Sequence, residues 1–207
     1  MVAASQERGL TLIEVGVFSG MLLLLTLLLS ALLAKGQVYT RNTSYYSVAH
    51  RESVRALNKI RGELSRATPH FLAINRERIY FLSSKTEPPG PPIEFDPDTG
   101  GILWQRWVCF FLDAQSSQIL EAEQSLTIPT STLLTSPHPP VDFNHFQNLE
   151  NRRTVARGIV SLQMQQLGRQ TVQCSVSAEH DGAGRIDAQR STVHAEATIR
   201  LVDGWTP

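Results

Sequence analysis

Residues 15–34 read VGVFSGMLLLLTLLLSALLA, twenty consecutive positions without a charged side chain, nine of them leucine. As a helix rising about 1.5 Å per residue, this run is long enough to cross the roughly 30 Å hydrocarbon core of a bilayer. A cleavable secretory signal needs small residues at the last and third-last positions before the cut. Here the run ends Leu32, Leu33, Ala34, with a large side chain third from last, so cleavage behind it is not expected. Arg8 stands alone before the run while Lys35, Arg41 and Arg51 follow it, and these charges do not set an orientation by the positive-inside rule.

Upstream, Leu10, Thr11, Leu12 and Ile13 form an apolar lead-in, and Glu14 sits between them and the run. An acid at the bilayer centre costs about 2.5–3.5 kcal/mol on insertion scales, so it is expected to have a partner and a function. Were the chain to begin at Leu10, its free amino group would supply a cation four residues from Glu14. The same group on a neighbouring copy would do so in a packed bundle.

Arg8, Gly9, Leu10, Thr11, Leu12, Ile13 and Glu14 together closely resemble the processing site of type IV prepilins and pseudopilins. In that family a short charged leader ends in glycine, and glutamate stands fifth in the mature chain. The resemblance implies that the membrane-embedded prepilin peptidase cuts between Gly9 and Leu10 and N-methylates Leu10, with Glu14 as the assembly glutamate. Leu10 replaces the more usual phenylalanine, and Ala31 stands where many major pilins carry a kinking proline, which points away from a major pilin. The competing reading is an uncleaved signal anchor whose Glu14 snorkels to the headgroups. Gly16 and Gly20 make a small-xxx-small pair that could let membrane helices approach closely, although glycine is common in such helices anyway.

The remainder reads as one domain of ordinary size in a chain of 207 residues, with 42% hydrophobic and 18% charged side chains. Val54, Leu57, Ile60 and Leu64 lie on one helical stripe among Arg51, Arg55, Lys59, Arg61 and Arg66, predicting an amphipathic stalk that ends at Thr68 before Pro69. Gly36 and residues 42–44 suggest a break or bend within it. Beyond Pro69 the period changes to two. Phe71–Ile74 and Arg78–Leu82 read as a hairpin, and the proline-rich residues 86–92 as a loop. Ile102–Leu112 is expected to be a strand with Trp104, Val108, Phe110 and Leu112 on one face and Leu103, Trp107, Cys109 and Phe111 on the other. Gln118–Glu123 returns beside it. Residues 130–151 are an excursion with a short helix near residues 142–149. Residues 155–167, 171–178 and 192–202 are read as three more strands, the last two joined by a loop at 181–185.

The expected architecture is therefore α+β: a leader at 1–9, a transmembrane helix at 10–34, an amphipathic stalk at 35–68 and an antiparallel β-rich head at 69–207. Arg153, Val155 to Val160 and Leu162, with the strand from Val172 to Val176 and the terminal Ile199 to Leu201, are similar to the core of J-type pseudopilins and W-type minor pilins. That likeness does not choose between secretion pseudopilus and pilus.

Equal totals of 19 basic and 19 acidic side chains hide a segregation, net +6 over residues 35–78, −7 over 79–150 and +2 over 151–207. A basic stalk and an acidic middle could attract within one subunit or between neighbours. Only Tyr39, Tyr45 and Tyr46 accompany the basic stretch, too few stacking groups for direct nucleic-acid binding to be expected, although a DNA-uptake pilus remains an alternative. Asp96 and Asp98 are spaced like the start of a calcium loop, but the bidentate acid expected about eight residues on is missing, and a hairpin turn is the better reading. Cys109 and Cys174 either form a disulfide or pack as two separate thiols. The six histidines show no zincin spacing, and neither a nucleophile elbow nor a phosphate loop is present. The sequence thus predicts a non-enzymatic structural subunit without a cofactor. The resemblance implies anchoring in the bacterial inner membrane with the head in the periplasm, and as partners other pilin or pseudopilin subunits, prepilin peptidase and an assembly platform.

Overall fold

The computed structural model describes residues 11–84, 93–131, 143–180 and 191–201. Two compact units divide the chain, Met1–Ser44 and Tyr45–Pro207. The first helix, α1 (Leu12–Leu64), runs through both without an interruption at Gly36 or at residues 42–44, where the sequence had suggested a break.

In the first unit the helix exposes every apolar side chain from Leu12 to Leu33. It is long and apolar enough to cross a membrane. Two of its hydroxyls bond within the helix itself: Ser19 Oγ donates to the Val15 carbonyl at 2.8 Å and Thr26 Oγ1 to the Leu23 carbonyl at 2.8 Å. Each such bond satisfies a polar group that lipid could not. A Cβ added at Gly16 or Gly20 would meet nothing within 4 Å, so nothing inside the chain requires glycine there.

The second unit is built from the end of α1, two antiparallel sheets and a short helix. A five-stranded sheet has the order β1-β2-β3-β4-β5, with β1 Ala67–Asn75, β2 Arg78–Ser83, β3 Trp104–Asp113, β4 Gln118–Thr130 and β5 Arg153–Arg157. A three-stranded sheet has the order β6-β7-β8, with β6 Ile159–Gly168, β7 Thr171–His180 and β8 Ser191–Arg200. The helix α2 (Phe143–Asn148) lies within the expected excursion. The loops expected at 86–92 and 181–185 fall outside the described residues.

Each face of the larger sheet is covered. Ala49, Ala56, Leu57, Ile60 and Leu64 of α1 pack with Ile79, Phe81, Val108 and Phe110, and with Leu162, Cys174 and Val176 of the smaller sheet, in the main core. On the opposite face Trp104, Trp107, Cys109 and Phe111 pack with Phe143 and Phe146 of α2. At roughly 25 cal/mol per Å² of apolar surface, burying side chains of this size holds the layers together.

The helix ends at Leu64 rather than at Thr68, and Pro69 lies inside β1. It is tolerated because β1 is an edge strand whose register shifts between Ala67 and Leu72. Val54 is 36% exposed, and Ser53 and Ala56 complete the buried face of the helix instead. Trp104 shares a face with Trp107, not with Val108, because the β3–β4 register shifts between Trp104 and Arg106 and reverses the alternation. The single strand expected over 155–167 is two strands in different sheets. Gly158 parts them at φ 69°, and a Cβ there would come within 2.8 Å of the Glu179 carbonyl oxygen.

Candidate functional site

Glu14 lies in the first turn of α1. Its Oε2 accepts from the Thr11 backbone N–H at 2.9 Å and from Thr11 Oγ1 at 2.9 Å, while the Glu14 N–H donates to Thr11 Oγ1 at 3.4 Å. This is a reciprocal capping box, in which residues three apart satisfy donors that a helix start leaves open. The Thr-x-x-Glu spacing is the sequence signal for it. Both residues are exposed within this single chain. Gly9 and Leu10, the pair expected to flank the cut, lie outside the described residues.

A second constellation, unforeseen from sequence, joins the end of α1 to the larger sheet. Glu63 is 3% exposed, Arg106 5% and Glu121 2%. Arg106 Nη2 lies 3.2 Å from Glu63 Oε2, and its Nη1 pairs with Glu123. Lys59 Nζ lies 3.3 Å from Glu63 Oε1 and 2.9 Å from Glu121 Oε1. Three carboxylates face two cations. Burial pushes the Glu121 carboxyl above its ordinary range, Lys59 opposes that, and the Glu123 and Glu63 charges reinforce it. Lys59 is raised overall: burial works against its charge, but the Glu121 and Glu63 carboxylates outweigh it. Here the basic stalk and the acidic middle of the sequence meet within one chain.

The other sequence-chosen residues stand apart. Asp96 opens a hairpin turn in which Phe95 pairs with Ile102 and the Gly100 N–H donates to the Asp96 carbonyl at 2.8 Å. Its carboxylate accepts from Ser131 Oγ, from Thr99 Oγ1 at 2.7 Å and from the Asp98 N–H at 3.0 Å. Those donors, the Ser131 hydroxyl first, hold the acid down at about 2. Both oxygens are thus engaged within the turn and its neighbour. Among the described residues no group of three or more His, Cys, Asp or Glu side chains could hold a metal ion. Cys109 and Cys174 are free thiols in separate clusters, one on each side of the larger sheet. Burial pushes each up to about 12. His194 lies between Ser175 Oγ at 3.2 Å and Ser177 Oγ at 3.0 Å on the exposed face of the smaller sheet, and no carboxylate bonds the ring among the described residues.

Compared with family models, with curated proteins and with solved structures, the chain finds no match.

Proposed function

We propose that this chain is a minor pilin or pseudopilin: a structural subunit held in the bacterial inner membrane, cut after Gly9, N-methylated at Leu10 and then drawn into a helix-cored filament. The observation that carries this is the order Gly9-Leu10-Thr11-Leu12-Ile13-Glu14 directly before twenty uncharged residues. A 53-residue helix whose first unit buries none of its apolar side chains supports it. That surface prefers lipid, or a bundle of like helices, to water. Its transfer from one to the other is register-selective if Glu14 must find the terminal amine of a neighbour. The W- and J-type likeness of the last strands favours a minor subunit and leaves open whether the machine is a type IV pilus or a type II secretion pseudopilus.

One observation favours a second reading, an uncleaved signal anchor holding an unrelated domain: the capping box gives Glu14 a local structural task that needs no neighbour. Two substitutions separate the readings. In the filament reading Glu14→Ala inserts into the membrane normally but loses incorporation, and Thr11→Val, which keeps the carboxylate, is largely spared. If Glu14 serves only to start the helix, removing either half of the box has the same modest effect and incorporation follows neither.

A further inference from the structure

Sheet edges offer unpaired backbone donors and acceptors to other strands, and proteins usually blunt them. Among the described residues the two sheets have four edges, and three of them are blunted. The first, β1, carries Pro69 and a register shift. On β5 the Arg157 N–H donates to the Glu52 carboxylate of α1 at 3.1 Å. The β6 edge is tied to turns of the larger sheet, its Ile159 N–H donating to the Ser117 carbonyl at 2.9 Å and its Met164 N–H to the Arg76 carbonyl at 3.3 Å. The fourth, β8, has neither proline nor lysine, pairs with β7 over ten residues without a register shift, and meets no strand on its other side among the described residues.

We propose that β8 is a docking edge for a second copy of this chain, the two β8 strands pairing antiparallel about a twofold axis at Thr198. The charges select both occupant and register. With Thr198 opposite Thr198, Glu196 of each copy faces Arg200 of the other, giving two cross-strand ion pairs. Sliding the pairing to centre on Glu196 sets the two glutamates opposite each other, and like charges directly opposite are destabilising, while centring it on Ala197 sets Glu196 opposite Thr198 and loses both ion pairs. Glu196 is engaged only by the neutral Gln173 amide, and Arg200 has no ion-pair partner among the described residues. On the other face the same register sets Ile199 opposite Ala197 and Leu201 opposite Ala195, large against small, beside two alanines that the core leaves partly exposed. The contact is isologous and closes at two copies, so it cannot propagate a filament. It stands whether or not the pilin reading does.

The native thiols suit a cross-linking test because both are fully buried. Purified full-length chain carrying Thr198→Cys is oxidised in detergent micelles. Thr192→Cys is the control, since in this register its two copies lie about 40 Å apart at 3.4 Å per residue. We expect a disulfide-linked dimer from T198C and none from T192C. In the T198C background, E196R or R200E alone is expected to slow cross-linking roughly tenfold, and the two together to restore it. Equal cross-linking at positions 192 and 198 overturns the proposal. So do single reversals that leave the rate unchanged, or a double reversal that fails to recover it.

Discussion

Arg106→Met keeps most of the apolar stem of the side chain and removes its charge from between Glu63 and Glu123. In the parent, Arg106 is 5% exposed and lies 3.2 Å from a Glu63 that is itself 3% exposed. After substitution Lys59, already shared with Glu121, is the remaining cation of the cluster. Removing one partner of a buried ion pair usually costs about 3–5 kcal/mol, because the other charge stays buried without compensation. Against a total stability of about 5–15 kcal/mol, this is a large fraction. The assay is urea unfolding of the full-length chain in mild detergent, followed by the fluorescence of the buried Trp104 and Trp107. With a slope of about 2 kcal/mol/M the midpoint should fall by roughly 1.5–2.5 M. Neutralising the partners as well, in Arg106→Met with Glu63→Gln and Glu123→Gln, should recover much of the loss. A cost below about 1 kcal/mol for Arg106→Met, or a triple variant weaker by the sum of its parts, would show that Glu63 and Glu123 do not depend on the Arg106 charge.

Glu121→Gln should behave in the opposite sense. The carboxyl of Glu121 is raised on folding, so its unfavourable contribution is absent below the ordinary carboxylate range and grows as pH rises through the folded value. The variant should be more stable than the parent at pH 7 and indistinguishable from it below about pH 4; a difference independent of pH contradicts this. Gly158→Ala must hold alanine at φ 69° with its Cβ 2.8 Å from the Glu179 carbonyl oxygen, and should cost at least about 2 kcal/mol by the same unfolding assay. An unchanged midpoint would mean that the link between the sheets does not need this backbone. Cys109 and Cys174 should resist a maleimide in the native chain and both label in denaturant without reductant; rapid native labelling, or no free thiol after unfolding, would contradict their buried reduced state.

What was legible in the sequence was local. The period of three and four placed Leu57, Ile60 and Leu64 on the buried face of α1, and the turn chemistry of Asn75 to Glu77 marked the β1–β2 hairpin. What was not legible depends on distant partners. Trp104 changes face through a register shift against β4, which nothing between Ile102 and Leu112 encodes. Residues 155–167 carry a continuous strand pattern, and Gly158 becomes a switch between sheets only because β7 packs against it. The pairing of Glu63 with Arg106 spans 43 positions, so no spacing rule reaches it. Thr11 and Glu14 differ in kind: their box is a short-range pattern, overshadowed by the cost of an acid beside an apolar run.

On the proposed reading a short leader is removed, and the new terminal amine is the cation that pairs with Glu14. Intact mass and N-terminal sequencing of the chain, purified from a bacterial membrane containing prepilin peptidase, address it directly. The expected product begins at Leu10 and carries one added methyl group. A chain that still begins at Met1, or one that begins anywhere other than Leu10, contradicts it.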